Sequence, residues 1–197
     1  MHPGRVKADI QLPNELLWII INELASDSGC RITREALASC RLASHVLCSL
    51  ATPFLFSFLR LDGYFGSPKR ARALIQLLSN LHVAASVHTL TVNVWREKNI
   101  LEYSQGTLFC EIVNRLPHIR NFTLDCRLRL LETFSMPKNV FMAIQALCTS
   151  PTLTTLDLCH IASFPITFIT ACPNLRCLRL MMVEFDVIFF SMASIIS

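Results

Sequence analysis

A short phrase that recurs in the second half of the chain constrains its fold more than any other feature. The pattern is proline, any residue, leucine or isoleucine, any two residues, leucine or phenylalanine, any residue, leucine. It begins at Pro117, Pro151 and Pro173, and weaker relatives without the proline occupy 87–92 and 58–61. Because each copy of such a phrase builds one structural unit, the fold should be an array of similar units.

The spacing of the phrases predicts what each unit contains. Alignment of Phe58, Leu90, Phe122, Leu156 and Leu178 gives spacings of 32, 32, 34 and 22 residues. The leucine–any–leucine ending is typical of a short strand whose alternate side chains point inward. Helical stretches precede the later strands at 71–81, 107–116, 140–148 and 166–171. We therefore predict an α/β fold in which residues 58–197 form a strand–helix solenoid with a parallel sheet on its concave side.

The repeated phrase resembles the leucine-rich repeat family, in a degenerate form without the usual asparagine ladder. Solenoid ends need a cap, and no segment resembling one follows Leu180. The resemblance therefore implies an array that is cut short at its C-terminus.

A separate helical module is predicted before the repeats. Residues 12–24 give a helix with Pro13 at its first position, where the missing N–H costs nothing. Its leucines and isoleucines at 16, 17, 20, 21 and 24 share an arc of roughly 140° that should pack on something, with Trp18 and Ile19 outside it. Two more helices are predicted at 33–42 and 45–56. Three short helices bury little surface alone, so the module should lean on a neighbour or a partner.

The helical module resembles an F-box. The match consists of the run Leu12-Pro13-x-Glu15-Leu16-Leu17-x-x-Ile20-Ile21-x-x-Leu24, the stretch 37–44 and the segment 51–56. The resemblance covers about residues 10–60, and we assign the module to 8–57. It implies docking on the Skp adaptor of a cullin–RING ubiquitin ligase. The adaptor-binding residues carried over by position are Leu12, Pro13, Leu16, Leu17, Ile20, Leu24 and Leu42.

Two positions depart from the F-box pattern. Leu47 stands where the family commonly has tryptophan, and the basic residue expected just before it is His45 or is absent, depending on the alignment. A small helical cap without a partner is the alternative interpretation of the module.

Composition and motifs exclude several other classes. The net charge of +4 is spread along the chain without a basic stripe, so nucleic-acid binding is not expected. No apolar run reaches the roughly 18 residues of a membrane helix. Nine irregularly spaced cysteines and the lack of a signal peptide favour a cytoplasmic or nuclear protein with buried thiols. We found no phosphate-binding loop, metal-ligand set or catalytic motif, and therefore predict a non-enzyme without cofactor or metal.

Substrate recognition, if the repeats perform it, should use strand residues or the loops that follow them. The candidates are Trp95, Arg96, Asp125, Arg127 and Asp157, beside Asn93. Tryptophan and arginine often anchor protein interfaces. An ordinary solvated face with one partly buried tryptophan is the competing interpretation.

Three functions remain to be compared. The first is a substrate-recognition adaptor of an SCF-type ubiquitin ligase, with the module on the adaptor and the repeats on a protein substrate. The second is a leucine-rich-repeat scaffold that binds proteins without the ligase. The third is a small hydrolase that uses Cys159, which has His160 as its neighbour in the sequence, or another thiol. Neighbouring strand residues point to opposite faces, which argues against the third.

Overall fold

The computed structural model describes residues 12–25, 31–62, 68–94, 103–126, 131–132 and 136–186. The chain divides into two compact units, Met1–Leu55 and Phe56–Ser197. This division lies two residues before the boundary between 57 and 58 that the sequence predicts. We call the first the helical unit and the second the strand–helix unit.

The helical unit contains α1 (Asn14–Ala25), α2 (Arg31–Ala43) and α3 (His45–Leu55). The Pro13 carbonyl accepts the N–H groups of Leu16 and Leu17, both at 3.1 Å. Pro13 therefore precedes α1 as its capping residue, one position before the predicted place. Ser44 separates α2 from α3, and its Oγ accepts the Leu47 N–H at 3.1 Å. That hydrogen bond is a typical N-cap, which explains why a new helix begins at this serine.

The core of the helical unit is small. Its buried members are Ile21, Ala25, Leu37 and Ala51, with partly buried Leu24, Cys40, Leu47, Leu50, Phe54 and Leu55 around them. The side of α1 that packs into this core is the one that carries Ile21 and Ala25, and it lies at one edge of the predicted arc. Leu16 and Ile20, at the other edge, are exposed.

The strand–helix unit begins with β1 (Phe58–Asp62), α4 (Pro68–Leu77), α5 (Leu81–Ser86) and β2 (Thr89–Asn93). It continues with α6 (Tyr103–Asn114), β3 (Asn121–Asp125), β4 (Leu131–Glu132) and α7 (Lys138–Thr149). The last described elements are β5 (Thr155–Pro165), α8 (Ile166–Thr170) and β6 (Cys177–Asp186). The strands form one sheet in which every described pair is parallel. The predicted α/β class with a parallel sheet is confirmed.

Strand order follows the chain across the sheet. β1 pairs with β2, β2 with β3, and β3 with the first half of β5. The short β4 pairs with the second half of β5, and β6 pairs with β5 over its whole length. Since a strand has two edges, β3 and β4 share one edge of β5 and β6 takes the other.

The register of the strands corrects one alignment made from the sequence. The inward positions are Leu59, Leu90, Phe122, Leu156 and Leu178, followed two residues later by Leu61, Val92, Leu124, Leu158 and Leu180. The predicted alignment of Phe58 with Leu90 was wrong by one residue, because Phe58 pairs with Thr89. Alternation then sends Phe58 to the open face of the sheet, where it is 40% exposed.

The helices cover the inward face of the sheet. Side chains from α4 to α8, such as Ile75, Phe109, Ile144 and Phe168, pack with the inward strand residues in one continuous cluster. The predicted helix at 71–81 is in fact two helices. Asn80 is the N-cap at which the second helix, α5, begins, and its Oδ1 accepts hydrogen bonds from the N–H groups of His82 and Val83.

The last repeat is shorter than the others because α8 has 5 residues where α7 has 12. The shorter helix accounts for 7 of the 12 residues by which the last spacing of 22 is below the preceding 34, and β5 also runs directly into α8 without a loop. None of the helices in the described ranges is long and apolar enough to cross a membrane.

Candidate functional site

The first candidate site is the uncovered side of α1. Leu12 precedes α1 by two residues, and Leu16 and Ile20, four residues apart within α1, lie on one side of the helix. The three residues are 49%, 46% and 53% exposed. Ile19 joins them at 54% exposure, three residues after Leu16. We call these four residues the α1 apolar surface.

This surface exists because the core takes a different side of the same helix. At 100° per residue, Leu16 and Ile19 point well over 120° away from Ile21, the residue of α1 that is 1% exposed. Glu15 and Glu23, both exposed, lie on the same helix at the margin of the apolar surface. An apolar strip with a polar margin is typical of a protein-binding site.

A second group of exposed apolar residues lies on α2 and at the start of α3. Ile32 and Leu42 are 75% and 88% exposed. Each lies five residues from the buried Leu37, which places it about 140° around the helix from the core. Val46 follows Leu42 by four residues across the break at Ser44 and is 39% exposed. Sequence reasoning named Leu42 but missed Ile32 and Val46; the position of Leu37 on the helical wheel of α2 could have indicated Ile32.

The predicted adaptor-binding residues fall into two groups in the structure. Leu12, Pro13, Leu16, Ile20 and Leu42 are exposed. Leu17 and Leu24 are half-buried, and Leu24 packs against the core of the helical unit. Trp18, which the sequence places outside the arc, is 51% exposed.

The second candidate site is the open face of the sheet in the strand–helix unit. Its polar side chains stand in rows across the strands. The middle row contains Arg60, Thr91, Thr123, Asp157 and Arg179. Asp157 lies 3.6 Å from the guanidinium of Arg179 through its Oδ2, and Thr123 donates a hydrogen bond of 3.5 Å to the same oxygen. The row is therefore tied together in part by its own charges.

The row at the carboxyl ends of the strands is more deeply buried. It contains Asp62, Asn93, Asp125 and Cys159. Asn93, only 3% exposed, donates from Nδ2 to Asp62 Oδ1 at 2.7 Å. Asp125 is 5% exposed, with its Oδ1 3.2 Å from Nδ1 of His160. These two side chains join neighbouring strands, which is a structural role.

The predicted substrate contacts are only partly visible. Asp157 is half-buried on the open face and Asp125 is buried at its end, so Asp157 is the more accessible of the two. Trp95, Arg96 and Arg127 lie outside the described residues, so the structure does not bear on them.

Two buried thiols of the strand–helix unit, those of Cys126 and Cys148, are poor nucleophiles. Burial raises the pKa of Cys126 to about 12, and the nearby Asp125 and Cys159 contribute to the same rise. Burial also raises the pKa of Cys148, whose thiol lies beside that of Cys172. Because the thiolate is the reactive form, these two cysteines should be unreactive at neutral pH.

The described part of the chain presents two candidate surfaces, the α1 apolar surface and the open face of the sheet. No group of three or more His, Cys, Asp or Glu residues within it could hold a metal ion. The described cysteines are all thiols without a disulfide. Apolar side chains on helices can bind a protein partner, and rows of hydroxyl, amide and charged groups on a sheet can bind a polar one. Comparisons with protein-family models, with curated proteins and with solved structures found no match to this chain.

Proposed function

We propose that the chain is a substrate-recognition adaptor of an SCF-type cullin–RING ubiquitin ligase. The helical unit, as an F-box, would bind a Skp-family adaptor. The strand–helix unit, as a degenerate leucine-rich-repeat solenoid, would bind the protein that is to be ubiquitinated. The observation that carries the proposal is the exposure of Leu12, Leu16 and Ile20 within the stretch that resembles an F-box.

The helical unit supports this role because it leaves apolar surface open. Full burial of a leucine or isoleucine contributes about 1.5–3 kcal/mol relative to exposure. Three residues that are each about half exposed could thus contribute several kcal/mol to binding a partner. A partner with an apolar groove fits this strip, since Ile19 and Ile20 lie three and four residues after Leu16 on one side of α1.

The strand–helix unit supports the other half of the proposal. Its strands stand in parallel register, so side chains of the open face form straight rows that an extended partner could contact. An adaptor needs no chemical step of its own. Its contribution is to hold a substrate close to the ligase in a suitable orientation.

A pull-down of the full chain with a Skp-family adaptor tests the proposed docking. The variant Leu16→Asp/Ile20→Asp places two charges on the α1 apolar surface, and we expect it to lose the adaptor. The control Leu77→Asp/Leu81→Asp makes a similar chemical change at two exposed leucines of the strand–helix unit, 41% and 81% exposed. We expect this control to retain the adaptor. Equal retention by both variants would remove the α1 apolar surface as the docking site.

A second function is a leucine-rich-repeat scaffold that binds proteins without the ligase. Leu47, which replaces the tryptophan common in the F-box family, packs against the small core of the helical unit. In this arrangement the position serves folding, which favours a structural module. The scaffold function predicts that the wild-type chain binds no Skp-family adaptor while the strand–helix unit still binds another protein.

A further inference from the structure

The edge strand β6 carries exposed apolar side chains at positions that its neighbour β5 buries. Leu178 and Leu180 are 40% and 45% exposed. Their partners in register on β5, Leu156 and Leu158, are both 0% exposed. No described strand pairs with the outer edge of β6. An open strand edge beside uncovered core positions is a typical place for another strand to add.

The backbone of β6 is irregular at Met182, where φ is 53°, and this residue separates two halves in which the inward positions alternate differently. In the first half, Leu178 and Leu180 face inward. In the second half, Val183 and Phe185 face inward, since they pair with the buried Ile161 and Phe164. Arg179 and Glu184, each between two inward residues, therefore lie on the open face of the sheet.

The side chains of β6 form a near-palindrome around its centre. Read toward the N-terminus, the order is Met181, Leu180, Arg179, Leu178. Read toward the C-terminus, it is Met182, Val183, Glu184, Phe185. Both directions give methionine, apolar, charged, apolar, and the two charges have opposite sign. A strand with this pattern is complementary to an antiparallel copy of itself.

We propose that β6 pairs antiparallel with β6 of a second copy of this chain about a twofold axis between Met181 and Met182. Arg179 would then stand opposite Glu184 of the partner subunit, and the symmetry gives this pair twice. Leu178 would face Phe185 of the partner subunit on the inward side, and Leu180 would face Val183 of the partner subunit. The pairing continues the sheet and the apolar layer beneath it through the interface. It uses β6 alone, so it does not depend on the proposed adaptor function.

Other registers fit less well. A shift of the partner by one residue would place its apolar side chains on the open face. A shift by two residues would set Arg179 against Met182 or Asp186 of the partner subunit and take Glu184 from its opposite charge. Charges on edge strands commonly prevent self-association because like charges meet. In β6 the symmetric placement of opposite charges makes them attract.

The test uses sedimentation velocity on the full chain from low to high micromolar concentrations. We expect the wild-type chain to reach the mass of two chains. Glu184→Arg sets arginine against arginine at both pairs, and Arg179→Glu sets carboxylate against carboxylate. Each variant alone should raise the dissociation constant about tenfold or more, given two cross-strand charge pairs. Circular dichroism and thermal unfolding check that both variants remain folded.

A mixture of the two variants gives the decisive measurement. In a mixed dimer, the chain with Glu184→Arg carries arginine at both charged positions of β6, and the chain with Arg179→Glu carries glutamate at both. Both pairs are then again complementary, so we expect the mixture to dimerise at concentrations where each variant alone is monomeric. A monomeric wild-type chain would overturn the proposal and indicate that something other than a second copy covers β6. A dimer that neither variant weakens, or a mixture that stays monomeric, would overturn it as well.

Discussion

The two units of this chain solve the problem of burying apolar side chains in different ways. Two of the four buried hydrophobic residues described in the helical unit are alanines, and its exposed residues include Leu16, Ile20 and Leu42. The strand–helix unit buries Phe109, Phe122 and Phe164 to 1% exposure or less in a continuous cluster. The first unit has more apolar surface than its own core can use, whereas the second leaves much of its surplus at one edge. The difference shows where each unit leaves apolar side chains uncovered: along a helix in the first unit, and at a strand edge in the second.

The largest effect is expected at the centre of the strand–helix core. Phe122 lies on β3, the strand between β2 and β5, and its ring is 0% exposed. Phe122→Ala removes this ring and should lower the free energy of unfolding by about 3–5 kcal/mol. Phe58→Ala makes the same change on β1 at a ring 40% exposed, where we expect less than about 1 kcal/mol. Urea unfolding followed by circular dichroism measures both. Similar losses for the two variants would contradict the inward assignment of Phe122.

The next effect concerns the small core. Leu37→Ala should lower the stability of the helical unit by about 2–5 kcal/mol, because Leu37 is 0% exposed. Leu42→Ala is the matched control in the same helix, and at 88% exposure it should cost less than about 0.5 kcal/mol. Fluorescence of Trp18 in a Trp95→Phe background reports on this unit alone. An equal response to both substitutions would mean that the unit has no specific core.

A smaller effect is expected at the row of polar strand ends. Asn93→Ala removes the hydrogen bond that the buried Asn93 amide donates to Asp62, and it should cost about 1–3 kcal/mol. Asn121→Ala removes the more accessible hydrogen bond to Thr89, and we expect about 0.5–1.5 kcal/mol. Thermal unfolding of the two variants gives the order. If Asn121→Ala were the more damaging change, the polar row would not join the strands as described.

The smallest effect tests whether the α1 apolar surface is free of a folding role. Leu16→Ala should change the stability of the helical unit by less than about 0.5 kcal/mol, since the side chain is 46% exposed and alanine favours a helix. Trp18 fluorescence in the Trp95→Phe background measures it. A loss above about 1 kcal/mol would show that this residue stabilises the unit, and the contrast between the two regions would weaken.

The repeats made most of the strand–helix unit predictable. Three proline phrases located β3, β5 and β6, because a strand that alternates between a covered and an open face must show a two-residue pattern. Phe58 misled the alignment because two adjacent apolar residues, Phe58 and Leu59, both fit an inward position. The break between α4 and α5 depends on one side-chain cap at Asn80, which a count of leucines does not detect.

The candidate site was less predictable than the fold. Periodicity placed apolar residues around much of α1, and it could not say which line the core would use. That choice depends on α2 and α3, whose Leu37 and Ala51 belong to the same small cluster as Ile21. The buried position of Asp125 likewise depends on β5, which brings His160 to its carboxylate from 35 residues away.

The strand pairings of the first three repeats join residues 31, 32 and 34 positions apart, as the contacts of Asn93, Asn121 and Thr123 record. Each step of assembly therefore closes a loop of nearly the same length, and no step waits for a distant part of the chain. Such a sheet can grow in the order in which the ribosome makes it, one strand at a time. Most of its strands are then edge strands for a short time, and their apolar side chains stay uncovered until the next strand pairs with them. Among the described strands, β2, β3 and β5 become covered by the strand that follows, whereas β6 remains an edge strand with uncovered apolar side chains.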